Sequence, residues 1–291
     1  MNSATNKIGV FGTRGFIGSN LSIALSKSKN ISLINISDSK ITHDDIYKSP
    51  KKLKYFFNEE GIDTIINCSS SLNNLVNNSN EKIIEKEVTI AKNIMEASIS
   101  SGVCKNFITL NSVLMNDSNN SNNAYKIACY KKHLFFISNK DRINCHELVL
   151  GNIYGNGDPK LQLIPSAISA ILNNERLEIK NPSSIKNFLY ISDLINLFLK
   201  IVNGGLMPGS YRVKGGESLS VECVLKEIFQ SVNKSKKLEF EDIFIIDQSL
   251  KSNNKNNIEN LPLSIQTLPS SFWKPSFSFK KGLIEMISEV L

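Results

Sequence analysis

The stretch Gly9-Val10-Phe11-Gly12-Thr13-Arg14-Gly15-Phe16-Ile17-Gly18 decides the fold of this chain. The apolar residues up to Phe11 predict a short strand, and the residues after Gly18 predict the start of an amphipathic helix. The glycines therefore lie in a strand-to-helix turn, where their spacing suits the pyrophosphate of a dinucleotide. Gly12 permits the tight turn, Gly15 leaves bare backbone for the phosphates, and Gly18 lets the helix pack closely on the strand.

The same turn supplies further candidates for contact with a dinucleotide. The N–H groups of Phe16 and Ile17 at the helix start would face the phosphates, helped by the helix dipole. Two residues give opposite indications about the adenosine ribose. Asp38, about twenty residues beyond Gly18, would bind the ribose 2′-hydroxyl and repel a 2′-phosphate, whereas Arg14 would meet a 2′-phosphate. The sequence leaves NAD and NADP open and slightly favours NADP.

The composition fits a soluble α/β protein that binds a small anionic ligand. The chain has 291 residues, of which 41% are hydrophobic and 21% are charged, so it is long enough for one large core and a smaller lobe. The formal net charge is +7, but the lysines are scattered among Asn and Ser rather than clustered with aromatic residues. This pattern argues against a nucleic-acid partner.

The cysteines predict neither disulfides nor a metal site. They lack any C-x-x-C pair and any nearby histidine at zinc-ligand spacing, which indicates reduced thiols. They are Cys68, Cys104, Cys129, Cys145 and Cys223. No charged-then-apolar leader precedes Gly9, and no apolar run reaches membrane length. We therefore expect a cytoplasmic protein that makes no use of a membrane.

Four further segments follow the glycine turn in a set order. Residues 105–112 predict a strand that ends at Ser112, and Tyr125 opens the next helix. The turn Gly151-Asn152-Ile153-Tyr154-Gly155-Asn156-Gly157-Asp158 and the segment Lys186-Asn187-Phe188-Leu189-Tyr190-Ile191-Ser192-Asp193-Leu194 come after them. In this order the segments resemble the extended short-chain dehydrogenase/reductase family, whose epimerases, dehydratases and reductases modify nucleotide sugars. Arg14 in the turn is similar to the GDP-fucose synthase branch of that family.

The resemblance implies the fold and its division into domains. We expect a Rossmann-type doubly wound parallel sheet with helices on both faces. Residues 1–155 would bind the dinucleotide, with part of 185–200 returning to this domain, and residues 156–291 would form mainly a small substrate-binding lobe. The sequence also predicts a third short strand at Asp44-Asp45-Ile46 and a helix-capping role for Asp193.

The resemblance also implies the catalytic residues. The family carries Y-x-x-x-K, in which the tyrosine is the general acid or base, and the lysine lowers the pKa of the tyrosine and holds the nicotinamide ribose. Here Tyr125 is followed four residues later by Cys129, which cannot supply a positive charge. Ser112 would hydrogen-bond the reacting oxygen of the substrate.

Three interpretations stay open for a site that has Cys129 in place of the lysine. The enzyme uses another cation or a group supplied by a ligand; or it is slow, or limited to a half-reaction that needs little acid or base; or it has lost catalysis and only binds. Val113 and Leu114, rather than a carboxylate, follow Ser112. The resemblance implies an acidic residue beside the Ser/Tyr pair in dehydratases, so a dehydratase ranks below a reductase or an epimerase.

By the same resemblance, further residues would contact the ligands. Ser69 and Ser70 follow a buried strand at the point where relatives have small residues beside the dinucleotide. Asn152, Lys186 and Arg212 would contact the diphosphate of a nucleotide-sugar substrate, although lysine at position 186 lacks the bidentate geometry of the family's arginine. The resemblance further implies a homodimer.

Overall fold

The computed structural model describes residues 6–70, 81–115, 124–160, 162–233, 237–246 and 261–289. Its chain divides into two compact units. Unit 1 takes its described residues from the ranges 1–150, 197–213 and 259–273. Unit 2 takes its described residues from the ranges 151–196, 214–258 and 274–291.

The described residues form the following strands and helices. The strands are β1 (Asn6–Phe11), β2 (Ile31–Asn35), β3 (Thr64–Asn67), β4 (Asn106–Ser112), β5 (Asn144–Leu150), β6 (Asn152–Tyr154), β7 (Leu177–Ile179), β8 (Ile185–Tyr190), β9 (Gly209–Val213), β10 (Glu217–Ser220), β11 (Phe244–Ile246) and β12 (Ile265–Thr267). The helices are α1 (Phe16–Ser26), α2 (His43–Lys48), α3 (Pro50–Glu60), α4 (Glu81–Ser100), α5 (Ala124–Asn139), α6 (Leu163–Asn173), α7 (Ile191–Val202), α8 (Val221–Val232), α9 (Phe240–Ile243) and α10 (Phe279–Ser288).

Unit 1 is built on a seven-stranded parallel sheet with the strand order β12-β9-β5-β4-β3-β1-β2. Strand β1 pairs with both β2 and β3, so that Ile8 lies opposite Leu33 and Thr64. Strands of a parallel sheet that helices cover are buried on both faces, and all four residues of β3 are buried. The predicted Rossmann-type α/β fold is confirmed.

The core beside β1 fixes the end of the strand from which the glycine turn starts. Phe11, the last residue of β1, packs edge-to-face on Phe57 of α3, with ring centroids 6.2 Å apart. Both side chains belong to a cluster that includes Ile65, Ile94 and Phe107, each at most 2% exposed. Each such side chain contributes about 1.5–3 kcal/mol on burial. The position of the turn is therefore set by well-packed neighbours.

The predicted third strand at Asp44-Asp45-Ile46 is wrong, because these residues lie in helix α2. The hydroxyl of Thr42 accepts a hydrogen bond from the backbone N–H of Asp45, and the carboxylate of Asp45 accepts one from the N–H of Thr42 at 2.9 Å. Lys52 donates a third hydrogen bond to Asp45 at 2.8 Å. This capping box starts a helix even in a short polar segment.

Unit 2 contains two smaller sheets and corrects the interpretation of Asp193. One sheet has the order β10-β8-β6, and β11 pairs with β7. The buried carboxylate of Asp193 accepts hydrogen bonds from the N–H groups of Ser276 and Phe277 at 3.0 Å each, and from the hydroxyl of Ser276 at 2.6 Å. Asp193 therefore holds a segment that is distant in the sequence, and the predicted capping role is wrong.

The division into units differs from the predicted boundary at residue 155. Residues 197–213 and 259–273 belong to unit 1, although the sequence placed most of them in the substrate-binding lobe. The reason is strand pairing: β9 pairs with β5, and β12 pairs with β9, both in parallel. The sheet thus continues past β5 with strands from the C-terminal half of the chain.

Candidate active site

The glycine turn between β1 and α1 is closed so tightly that side chains do not fit at two of its positions. Gly12 has φ +78°, and a Cβ there would lie 2.7 Å from backbone atoms of Cys68 and Ser69. A Cβ at Gly18 would overlap the carbonyl group of Gly12, and one at Gly15 would lie 3.3 Å from the same oxygen. The backbone of the turn is therefore bare, as a bound diphosphate requires.

The polar groups of the turn fit a dinucleotide. Helix α1 begins at Phe16 after Gly15, and no side chain caps it. Its first N–H groups, including those of Phe16 and Ile17, lie at the positive end of the helix dipole, where anions bind. The hydroxyl of Thr13 is buried and has no hydrogen-bond partner among the described residues. A polar ligand in the turn would satisfy it.

Arg14 and Asp38, the two residues with opposite indications about the ribose, lie together. A guanidinium nitrogen of Arg14 is 3.4 Å from a carboxylate oxygen of Asp38 and 3.3 Å from the carbonyl oxygen of Ser37. Both charged side chains are exposed, at 80% and 59%, and such an ion pair is worth little. Arg14 is thus available to a phosphate that displaces Asp38.

The segment after β3 lies beside the glycine turn. The N–H and the hydroxyl of Ser69 both donate to the side-chain oxygen of Asn67. The amide nitrogen of Ser69 would be 2.7 Å from a Cβ at Gly12. Ser69 therefore lies against the turn, and Ser70 follows it as an exposed residue.

Ser112, Tyr125 and Cys129 form a hydrogen-bonded group in unit 1. Ser112 is the last residue of β4, and its hydroxyl accepts from the N–H of Leu114 at 3.1 Å. Tyr125 and Cys129 lie four residues apart in α5, which places them on one helix face. The phenol of Tyr125 is hydrogen-bonded to the side chains of both Ser112 and Cys129.

The surroundings of Tyr125 favour the protonated phenol. Burial raises the pKa of Tyr125, the neighbouring Cys129 and Glu87 raise it further, and the hydrogen bond with Ser112 opposes them without cancelling the increase. Burial also raises the pKa of the Cys129 thiol, against the opposing charge of Lys132. The ammonium of Lys132 lies 3.4 Å from the carboxylate of Glu87, with side chains only 13% and 6% exposed. The carboxylate of Glu87 therefore partly neutralises the positive charge of Lys132 near Cys129.

Asn111, which the sequence patterns did not single out, joins the end of β4 to helix α5. Its amide nitrogen donates to the carbonyl oxygen of Cys129 at 3.0 Å, and its side-chain oxygen accepts from the N–H of Ser112 at 2.9 Å. One side chain thus fixes the backbones that carry Ser112 and the Tyr125 helix. A polar residue inside a buried strand, directly before Ser112, was the available signal.

The residues predicted to contact substrate fall into both units. Asn152 of β6 is exposed, and its side chain donates to the carbonyl oxygen of Asn187 in β8 at 3.2 Å. Lys186 lies in the same sheet, two residues before Phe188, which pairs with Asn152. Arg212 lies in β9 of unit 1, opposite Val149. Asn152 and Lys186 therefore lie in the same sheet of unit 2.

The described residues contain neither a cluster of metal ligands nor a membrane-spanning helix. Within them, no group of three or more His, Cys, Asp or Glu side chains is arranged to hold a metal ion. None of the described helices has both the length and the apolar character that crossing a membrane requires. The five cysteines are free thiols.

Known proteins resemble this chain in sequence over part of its length. CDP-abequose synthase of Salmonella muenchen is 29% identical over 145 residues, which are 48% of this chain and 46% of that protein. The dTDP-D-glucose 4,6-dehydratase of Mus musculus is 26% identical over 133 residues, 45% of this chain and 37% of that protein. The chain thus spans about half or less of the length of the curated relatives that it matches.

Solved structures resemble the chain over almost its whole length. UDP-glucose 4-epimerase of Thermotoga maritima, solved with UDP-glucose, has a TM-score of 0.73 at 15% identity and covers 98% of both chains. RMD of Pseudomonas aeruginosa, solved with NADPH, has a TM-score of 0.74 at 14% identity and covers 98% of both chains. At these identities the likeness shows the fold.

The family model described as "NAD dependent epimerase/dehydratase family" matches residues 8–213. The match runs from the glycine turn through Ser112, Tyr125 and Lys186 to the end of β9. It therefore includes the order of segments from which the sequence predicted this relationship. The chain belongs to the NAD dependent epimerase/dehydratase family.

Proposed function

We propose that this protein is an NAD(P)H-dependent reductase that adds a hydride to a keto carbon of a hexose linked to a nucleoside diphosphate. The observation that carries the proposal is the half-buried Tyr125, whose phenol is hydrogen-bonded to Ser112 and Cys129 and has a raised pKa. A phenol that stays protonated at neutral pH is ready to donate a proton. It is not ready to remove one.

The direction of the reaction follows from that proton. When a ketone is reduced, its oxygen gains negative charge and needs a proton, which Tyr125 supplies while the hydroxyl of Ser112 hydrogen-bonds the same oxygen. An epimerase or a dehydratase that begins by oxidising a hydroxyl must first remove the hydroxyl proton. That step needs tyrosinate, which burial disfavours here. A reductase therefore ranks above an epimerase.

A dehydratase ranks lowest. Val113 and Leu114 follow Ser112, so the acidic neighbour that the resemblance leads one to expect in a dehydratase is replaced by apolar residues. This applies although dTDP-D-glucose 4,6-dehydratases are among the sequence relatives.

The glycine turn would hold the cofactor. We propose that Gly12, Gly15 and Gly18 shape the diphosphate site, that the N–H groups of Phe16 and Ile17 bind its oxygens, and that Ser69 and Ser70 flank the adenosine half. A bound reduced nicotinamide dinucleotide supplies the hydride. The binding of NADPH by RMD of Pseudomonas aeruginosa, which shares the fold, supports this assignment.

We propose further that Asn152 and Lys186 of unit 2 contact the diphosphate of the substrate, and Arg212 of unit 1 stays a predicted phosphate contact. Two of them carry positive charge, and the excess of basic over acidic residues gives the chain a net charge of +7, which suits an anionic ligand. UDP-glucose bound to the epimerase of Thermotoga maritima is such a ligand on the same fold. The homodimer and the cytoplasmic location stay predictions.

The proposal is tested by comparing the two directions of hydride transfer near neutral pH. Purified protein is incubated with NADPH and a panel of nucleotide-linked keto-hexoses, and separately with NADP or NAD and the corresponding hydroxy sugars. We expect the rate of reduction to exceed the rate of oxidation by about tenfold or more. Oxidation needs tyrosinate, and each unit of increase in the pKa of Tyr125 lowers the fraction of tyrosinate near neutral pH about tenfold.

Mass spectrometry of the sugar distinguishes the alternatives. A product heavier by two hydrogens supports the reductase. Inversion of a hydroxyl without net consumption of the dinucleotide would show an epimerase instead. Ligand binding without any turnover would favour the second candidate, a binding protein that has lost catalysis, which the thiol of Cys129 at the usual lysine position supports.

We expect the protein to bind both dinucleotides, with NADP bound more tightly. The exposed guanidinium of Arg14 can exchange the carboxylate of Asp38, 3.4 Å away, for a 2′-phosphate. Calorimetric titration of NADP and NAD measures the two Kd values. Asp38→Asn should increase the preference for NADP, since it removes the repelling charge. A preference of the unmodified protein for NAD of about tenfold, or about 1.4 kcal/mol, would show that Asp38 dominates.

A further inference from the structure

A second hydrogen-bonded set of side chains lies in unit 1, away from the Tyr125 phenol and two turns further along α5. The Nδ1 atom of His133 is 2.6 Å from a carboxylate oxygen of Glu147, and its Nε2 atom is 2.7 Å from the hydroxyl of Ser264. His133 and Glu147 are 1% exposed, whereas Ser264 is exposed. A serine, a histidine and a carboxylate are thus joined in the order found in hydrolytic triads.

The carboxylate of Glu147 is held firmly in this set. One oxygen accepts from the amide nitrogen of Asn111 at 2.7 Å, and the other accepts from the hydroxyl of Ser210 at 2.6 Å as well as from His133. Because Glu147 accepts at Nδ1, that ring nitrogen of His133 carries the proton. In the neutral imidazole, the Nε2 atom then presents its lone pair to the hydroxyl of Ser264.

We propose that Ser264, His133 and Glu147 form a second reactive site, in which Ser264 attacks activated carboxylic esters and thioesters. The Ser264 oxygen forms a bond to the carbonyl carbon, its proton passes to Nε2 of His133, and the bond to the leaving group breaks. Water from the solvent then attacks the acyl carbon, the bond to the Ser264 oxygen breaks, and Nε2 of His133 returns its proton to that oxygen, while the attacking water loses a proton to the solvent. The products are a carboxylic acid, the leaving group and the restored serine.

The burial of His133 restricts the substrates. At 1% exposure, the imidazole is covered by Ser264 and does not reach a leaving group to protonate it. The leaving group must therefore depart as an anion, as a thiolate or an aryl oxide does. Alkyl esters and amides, whose leaving groups need a proton, are excluded by the same geometry.

The nucleophile itself is open to such reagents. Ser264 lies in a turn before β12 that is closed by the N–H of Ile265, which donates to the carbonyl oxygen of Pro262 at 3.0 Å. The hydrogen bond that closes this turn therefore does not involve the N–H of Ser264. In serine hydrolases, the N–H of the nucleophilic serine points at the oxygen that becomes negatively charged. The neighbouring side chain, Leu263, is fully exposed.

The test is covalent labelling of the full chain with a fluorophosphonate probe, followed by peptide mapping. Ser138 is the matched control, since it is exposed on the same helix as His133 but donates its hydroxyl to the carbonyl oxygen of Leu134 at 2.9 Å. We expect an adduct on Ser264 that forms about a hundredfold faster than any on Ser138. Ser264→Ala should abolish it, and Ser138→Ala should leave it unchanged. Equal labelling of the two serines, or none, overturns the proposal.

A second pair of variants separates general-base activation from mere exposure without disturbing the buried residues. In Ser264→Cys the neighbouring imidazole should promote the thiolate, so iodoacetamide should alkylate that cysteine at least about tenfold faster than the one in Ser138→Cys. Equal alkylation rates mean that Ser264 only anchors the segment before β12, and they overturn the proposal. Neither result depends on hydride transfer, so the proposed reductase stands or fails separately.

Discussion

Replacing Tyr125 by phenylalanine should lower the rate of hydride transfer by about a hundredfold or more. General acid catalysis contributes about 10²- to 10⁴-fold, and the lost hydroxyl is the one hydrogen-bonded to Ser112 and Cys129. The aromatic ring stays in place, so the fold and the binding of the dinucleotide should be unaffected. Steady-state rates with NADPH and a keto sugar, together with a titration of NADPH, measure both expectations.

Tyr55→Phe is the matched control for this substitution. Tyr55 is 64% exposed on α3, so the same loss of a hydroxyl there should leave the rate within about twofold, as for most surface changes. If Tyr125→Phe retained the rate of the unmodified protein, another group would have to donate the proton. The proposed reductase would then need a general acid other than Tyr125.

Replacing Cys129 by lysine should speed the oxidation of hydroxy sugars far more than the reduction of keto sugars. A cation one helical turn from Tyr125 lowers the pKa of its phenol, by about one to three units for a close opposite charge. Each unit raises the fraction of tyrosinate near neutral pH about tenfold. The pH at which oxidation reaches half its maximum should therefore shift downward. Rates in both directions across a pH series provide the measurement.

The substitution also tests whether the buried site accepts a charge. Cys129 is 1% exposed beside Met115 and Val149, and an unpaired ammonium there would cost several kcal/mol. Glu87, which acts on the titration of both Cys129 and Tyr125, is the carboxylate that could pair with it. Cys129→Met adds length without charge, and it should leave the ratio of oxidation to reduction unchanged.

A crystal structure of the lysine variant decides how to interpret a negative result. If the introduced ammonium lies beside the Tyr125 phenol and oxidation is still not faster, the missing lysine does not limit catalysis, and the binding protein becomes the better explanation. If thermal unfolding shows that the variant is destabilised and the ammonium points away, the charge was excluded by the cost of burial.

The sequence by itself determined the features that depend on neighbours along the chain. The glycine turn, the strand that ends at Ser112 and the helix that Tyr125 opens were predicted from the spacing of residues one to four positions apart. The same spacing placed Tyr125 and Cys129 on one face of α5. The short helix α2 shows where this reasoning failed, since the capping box at Thr42 and Asp45 outweighed the strand pattern.

The tertiary structure alone decided which distant side chains meet. Asp193 binds Ser276, 83 residues away, and Lys132 pairs with Glu87 across 45 residues. Glu147 meets Ser210 because β5 pairs with β9, where the two residues lie opposite each other, and it also meets His133 of helix α5. Local patterns fix the period and direction of a segment, but they do not state which strands become neighbours. That choice is made by burial of the whole core, which also supplies the desolvation and the neighbouring charges that raise the pKa of Tyr125.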